Sequence, residues 1–447
     1  MEMLDEVQKL NTLLDVREGD VRGWENRYSG DVPLSFIAPD TRKKLGDRLT
    51  NLKINVCALA VDALAERLRL QGFTVDGQPD LDLWQTFNST MDAGAGQVHL
   101  DALALGSSYV SVWADAGLPV ALPEHPAQVV ATTNPATRRV DAALKRWTQD
   151  GRAYCVLYKP NKITILQSDS YVPADATAPN AWSVGSIPST GWSVTASVPN
   201  PLGVVPVVPF VNAGRLTEPY GVSEMAGIAD LNDALTKLIT DMLVTSESSA
   251  KPRRWATGIE VEVDENGNAF DPWDGKTTTA QSESPETKFG QFTASDLSAY
   301  RNAAELIVRQ IGALSGLPPQ ALGLHADSAM SADAIRAAEA SLVAKAEQRQ
   351  RLFGRSWAEV ARLMVAIRDG RDPRTVRVEP IWGDPASRST AQEADAATKL
   401  FSSDILSRRE TLASLGYSPD KIAEIEADTA REAALRQMLT TAPSEVA

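Results

Sequence analysis

The chain has 447 residues, 43% hydrophobic and 23% charged, with a formal net charge of −14. That length supports two or three domains with substantial cores, and the composition is that of a folded soluble protein. The acidic balance argues against tight, site-specific DNA binding, in which phosphate contacts dominate affinity, and no apolar run approaches the roughly 18 residues that would span a bilayer.

The start, Met1-Glu-Met-Leu-Asp-Glu6, lacks the basic and apolar regions of a signal peptide, so synthesis in a reducing cytoplasm is expected. Leu4, Val7, Leu10 and Leu14 lie at helical spacing and predict an amphipathic helix over 2–18. Trp24–Pro33 then suggests an aromatic-rich turn, and 39–50 a short basic helix with a solvated face of Arg42, Lys43, Lys44 and Arg48. A helix is expected from Asn55 to Arg69, with Val56, Leu59, Ala63 and Leu64 inward and Gly72 as its stop. Further helices are expected near 80–91 and 96–105, then a strand over Ser107–Ala114. From there to Asn212 the pattern is β: strands at 118–123, 139–148, 153–158, 162–167, 192–197 and 204–211, divided by Asn134-Pro135, Asp150-Gly151, Pro160-Asn161 and Asn200-Pro201. The Ala/Ser/Pro-rich 173–188 segment is expected as a loop. Cys57 and Cys155 are expected as buried free thiols. Residues 1–212 therefore predict an α+β domain, helices first and an antiparallel sheet after.

A long helix is expected over 222–249, with Ile228, Leu231, Leu235, Leu238 and Met242 as one apolar stripe. Lys251-Pro-Arg-Arg254 ends it, since Pro252 cannot continue a helix. Lys251, Arg253 and Arg254 form the densest basic spot in the centre of the chain, readable either as contacts to DNA or a partner or as surface ion pairs. Alternating Gly258–Val263, a turn at Glu265–Asn268 and the return Ala269–Trp273 predict a hairpin. Helix 296–315 follows, with Ile307 and Ile311 inward, capped by Gly316 and stopped by Pro318-Pro319. After a loop containing His325, Asp327, Ser328 and Met330, Ser331 is a plausible N-cap for a helix over 331–368, with Gly354 as a point of bending. Thr375–Trp382 predicts a last strand. The tail 387–440 is expected as helices broken at Gly416–Pro419.

Chemistry-bearing motifs are missing. The three histidines are scattered without metal-ligand spacing, and no phosphate-binding loop or nucleophile elbow is present. Asp264–Asn268 opens like a calcium loop, but Ala269 and Gly275 occupy the positions that need Gly and Glu. No catalytic residue, cofactor or metal is therefore expected. An enzyme with an unrecognised carboxylate site would have to use Glu260 and Glu262, which strand alternation already explains.

An α+β domain, a long helix, a hairpin insert, a returning helix, Leu-Ser-Gly-Leu-Pro-Pro-Gln-Ala-Leu-Gly323, a short loop and a very long helix follow in that order. This order resembles the portal proteins of tailed bacteriophages, and is most similar to those of siphoviruses infecting actinobacteria. Asn55–Phe73 and Lys-Pro-Arg-Arg-Trp255 add to the resemblance. It implies a portal-type fold: an α/β wing (1–212), stem helices (213–250 and 293–317), a β-hairpin clip (251–292), a tunnel loop (318–330), a long backbone helix with a returning wing strand (331–383), and a helical crown and tail (384–447). His325, Asp327, Ser328 and Met330 would then be tunnel-loop residues. Lys251, Arg253 and Arg254 would contact DNA or a partner at the clip, and Leu231, Leu235, Leu238, Ile307 and Ile311 would pack the stem. The implied function is a ring, dodecameric in the family's usual form, at one capsid vertex. DNA would pass through it without specific contacts, with the terminase large subunit, a head–tail connector or adaptor, major capsid protein and scaffold as partners, and no membrane. A tail or connector structural protein is the alternative.

Overall fold

The computed structural model describes residues 2–32, 54–170, 191–250, 254–258, 286–291, 296–324, 331–386 and 390–441. The basic helix expected at 39–50, the loop at 173–188, the hairpin at 258–273 beyond Gly258 and the loop at 325–330 lie outside them. The chain divides into two units, one of residues 1–32, 55–229 and 311–447, the other of residues 33–54 and 230–310.

The first unit opens with helix α1 (Glu2–Ser29). It does not stop at 18. Val7, Leu10, Leu14, Arg17 and Val21 continue one buried stripe through the expected turn, and the chain leaves the helix at Gly30, whose φ is 75°. Helix α2 (Val56–Ala65) is capped by the Asn55 side chain and ends earlier than expected. Residues 70–75 form strand β1 (Leu70–Val75), followed by β2 (Gln78–Pro79). Gly72 is thus not a helix stop; it sits at a register shift in the strand. Helices α3 (Leu81–Met91) and α4 (Gly94–Leu105) follow.

The β region holds β3 (Ser107–Asp115), β4 (Leu118–Glu124), β5 (Val129–Thr133), β6 (Val140–Gln149), β7 (Arg152–Tyr158), β8 (Lys162–Ser168), β9 (Trp192–Pro199) and β10 (Val207–Val211). β5 was not expected, because Val129–Thr133 shows no apolar–polar alternation. The strands also do not form one sheet. β5 to β9 form an antiparallel meander, while β10-β3-β4 form a second sheet. α1 buries Val7, Leu10 and Leu14 against the meander beside Leu144, Cys155 and Leu166. Cys57 and Cys155 are free, buried thiols.

Near the C-terminus, helix α7 (Ala332–Asp369) runs unbroken for 38 residues, roughly 57 Å. (Helices α5 and α6 belong with the insert, below.) Ser331 caps it, accepting from Ala334 N at 3.2 Å. The helix continues through Gly354. Pro380 and Trp382 press so close there that a Cβ would stand 3.3 Å from each, so the glycine permits contact with strand β13 (Val378–Trp382). β13 pairs antiparallel with β1, closing a third sheet of order β13-β1-β2 from residues some 300 apart. Phe353, Trp357, Val360 and Met364 repeat at spacings of 4, 3 and 4 and are fully buried. Around them lie Phe73, Phe87, Phe210 and His99. Trp357 packs edge-on to Phe87 and Phe210 and donates from Nε1 to His99 Nε2 at 2.7 Å. The tail forms α8 (Thr390–Ser402), α9 (Arg408–Ser414) and α10 (Pro419–Thr441), with the expected break at Gly416.

The second unit carries most of helix α5 (Ala229–Ala250), a two-stranded ladder of β11 (Arg254–Thr257) and β12 (Lys288–Gln291), and the first part of helix α6 (Ser298–Ser315). α5 starts at 229 rather than 222, which shortens it to roughly 33 Å. Residues 222–223 are irregular and 224–228 are turns, with Val222 N donating to Asn212 O and Glu224 N to Leu103 O. In the ladder, Trp255 faces Gly290, where a Cβ would fall 2.3 Å from the indole. Thr245 and Tyr300 bring their hydroxyl oxygens within 3.3 Å.

Candidate functional site

The first unit loses the chain at Ala229 and recovers it at Ile311. Both places are held by the same helix.

The outgoing segment starts at Asn212, just after β10. Asn212 N donates to Gly106 O at 2.8 Å, and its side-chain amide donates to Val222 O at 2.8 Å and Glu224 Oε1 at 3.1 Å. Glu224 N donates to Leu103 O at 2.9 Å. The backbone of Gly221 crosses that of Gly106, the left-handed cap of α4. Both glycines have positive φ, and a Cβ on Gly221 would lie 2.0 Å from Gly106 O. Only glycine fits such a crossing. Met225 and Ile228 then bury their side chains, and α5 begins.

Arg349 of α7 donates to Glu224 Oε1 from Nε at 2.9 Å and from Nη2 at 2.5 Å, with both side chains 12% exposed. One turn earlier on α7, Lys345 Nζ donates to Leu314 O at 3.1 Å and Ser315 O at 2.7 Å. Those are orphan carbonyls at the C-terminus of α6, where a cation also meets the negative end of the helix dipole. Burial lowers the Lys345 pKa; the Glu224 carboxylate opposes that shift and the Arg349 cation adds to it. Two cations four residues apart on one helix therefore hold the departing and the returning chain.

The residues singled out in the sequence fall elsewhere. Leu235 and Ile311 are buried, and Leu231, Leu238 and Ile307 are half-buried. Arg254 lies in β11, paired with Gln291 through the backbone. Lys251, Arg253, His325, Asp327, Ser328 and Met330 lie outside the described residues. No sequence pattern singles out Asn212, Glu224, Lys345 or Arg349. Gly221, just ahead of an apolar stripe, is a signal that helical periodicity outweighs.

Among the described residues, no group of three or more His, Cys, Asp or Glu side chains could hold a metal, and no helix is long and apolar enough to cross a membrane. Arg349 and Lys345 make this site an anchoring junction on α7. The match to the phage portal protein model, SPP1 Gp6-like, covers residues 17–434. The portal protein of Mycobacterium phage L5 is 32% identical over 401 residues, covering 84% of this chain and 78% of that protein. That of Mycobacterium phage D29 is also 32% identical over 401 residues, covering 84% and 79%. Among solved structures, the virion of a native gene transfer agent particle aligns with a TM-score of 0.47 at 14% identity, covering 90% of this chain and 94% of that one. The chain belongs to the SPP1 Gp6-like family of phage portal proteins.

Proposed function

We propose that this portal subunit assembles into a closed ring, of twelve copies in the form usual for the family, at one vertex of the capsid. Double-stranded DNA enters and leaves through the ring. The observation that carries the reading is the double anchorage of the α5–α6 excursion on α7, in a chain of the portal family. A helical pair fixed at both ends suits a wall element repeated around an axis. Leu306 and Leu314 of α6 are 59% and 56% exposed two turns apart, an apolar strip that a neighbouring copy would cover.

In this reading 1–212 with β13 and part of α7 is the wing, and α5 and α6 are the stem. Residues 251–292 are the clip, carrying Lys251, Arg253 and Arg254, on which the terminase large subunit and later a head–tail connector dock. Residues 325–330 are the tunnel loop at the bore and 384–447 the crown. Major capsid protein and scaffold meet the outer surface. An acidic wall repels the phosphate backbone and keeps moving DNA from sticking. The chain acts as a passive conduit, with ATP hydrolysed by the separate terminase.

Negative-stain images and the native mass of the purified protein test this. Rings with a central hole are expected; monomers at every concentration would overturn it. Deleting 326–329 should leave rings intact and impair packaging, and a deletion variant that formed no rings would remove the loop assignment.

A further inference from the structure

The outward face of α7, opposite its aromatic core face, forms the floor of a trough in the first unit. Two cavities of about 950 and 810 Å³ adjoin there and share Arg355, Glu359, Arg362, Val378 and Glu379. From Glu347 to Arg362 the trough follows α7 for roughly 22 Å. One wall is β13; the other is the turn between β5 and β6 with the segment before β10.

Its basic residues are all arginines. Arg351 and Arg355 project from α7, and Arg138 and Arg139 from the turn. These four are exposed, and their guanidinium groups have no hydrogen-bond or ion-pair partner among the described residues. The turn that presents two of them is built firmly. Asn134 Oδ1 accepts from Ala136 N at 2.9 Å and Thr137 N at 3.2 Å, and Asn134 and Arg139 share a backbone hydrogen bond of 2.9 Å. Arg138 itself holds φ 56°, a left-handed conformation that L side chains rarely adopt. Four unpaired guanidinium groups on a chain of net charge −14 leave the remaining surface more acidic still.

We infer that this trough is an intersubunit socket, which receives an acidic, partly apolar surface of the next copy of this chain. The inference rests on the ring reading above. A ring closes through two different, complementary patches on each copy, so a basic trough needs an acidic counterpart on the same chain. Arginine supplies a planar fork that binds carboxylates bidentately. A duplex fits worse. Asp141, Glu359 and Glu379 stand among the arginines; a protein surface can set its own cations against them, whereas a phosphate ridge is negative throughout, and Pro380 on the β13 wall gives it nothing. Arginine is enriched at protein interfaces.

The test compares the full-length protein with R138E/R139E/R351E/R355E and with the matching quadruple lysine variant. Ring content is read by native mass across protein and salt concentration, and binding of a 30-base-pair duplex by fluorescence anisotropy. The reversal variant should need about tenfold or more protein to assemble, the lysine variant should assemble near wild type, and wild-type assembly should weaken between 50 and 500 mM NaCl. Rings from the reversal variant at wild-type concentrations would overturn the socket and leave the ring reading intact. Duplex binding lost in that variant while rings persist would overturn it in favour of phosphate binding. Salt-insensitive wild-type assembly also overturns it, whatever the variants' folding. A wild type that never forms rings overturns both readings.

Discussion

Replacing Gly221 by alanine tests the crossing that starts the outgoing segment. The new Cβ would stand 2.0 Å from Gly106 O and 2.9 Å from Asn212 N, well inside the roughly 3.5 Å at which heavy atoms rest in contact. Moving Gly106 O aside breaks its 2.8 Å hydrogen bond from Asn212 N, at about 1 kcal/mol. A left-handed φ on an L residue adds ~1–2 kcal/mol, and the forced backbone shift another ~1–3 kcal/mol. A loss of about 4 kcal/mol is expected. Two further variants separate the contributions. Gly77→Ala places alanine at φ 85° with nothing within 4 Å, so only the dihedral cost of ~1–2 kcal/mol remains. Gly106→Ala meets Gly221 at 3.1 Å and should fall between them. Urea unfolding followed by tryptophan fluorescence, at concentrations where the protein is monomeric, gives the ranking. A Gly221→Ala variant within 1 kcal/mol of Gly77→Ala would refute the steric crossing.

The other predictions address the anchors, the core and the stem. Arg349→Met leaves the Glu224 carboxylate buried without its cation and should cost ~2–3 kcal/mol; a double-mutant cycle with Glu224→Gln should show coupling, and simple additivity would remove the pair from the junction. Burial holds the His99 pKa down at about 3, below the ordinary 6.5, so the unfolded chain takes up the proton first and stability falls as pH drops from 6.5 toward 3. Relative to His99→Gln, the wild type should lose up to ~1.4 kcal/mol per pH unit in that window, and a pH-independent difference would show that His99 is solvated. Asp101 has the opposite sign: burial, with a smaller effect of Glu25, raises its pKa to about 7, so its contribution is lost as pH rises from about 4 through 7, and Asp101→Asn should remove that slope. Leu235→Asp puts a carboxylate at a buried position of α5 and should abolish ring assembly; normal rings would show that the stripe is unpacked.

Periodicity was a sound guide wherever a stripe faced a single core. The buried run of α7, the meander strands β6 to β9 and the Ser331 cap are legible because each depends on neighbours close in sequence. The failures share another cause. β1 was concealed because Leu70–Val75 needs β13, some 300 residues later, to become a strand, and Gly72 alone looked like a stop. The seven residues before α5 carry a helical apolar pattern, yet Asn212 and Leu103 claim backbone groups of Val222 and Glu224. Arg349 and Lys345 looked like solvated charges on a long helix. Their partners lie about 125 and 30 residues away, beyond the reach of any local pattern.

The anchorage on α7 has a mechanical meaning. Lys345 and Arg349 sit about 6 Å apart along the helix axis, so tension on either leg of the excursion enters the spine at nearly the same point. A pull on one leg balanced by a push on the other then acts as a short-armed couple, which a continuous helix resists by tilting as a whole. β13, β3, β4 and β10 all pack on that helix. A tug at the junction is therefore spread over two sheets before it can peel any single strand.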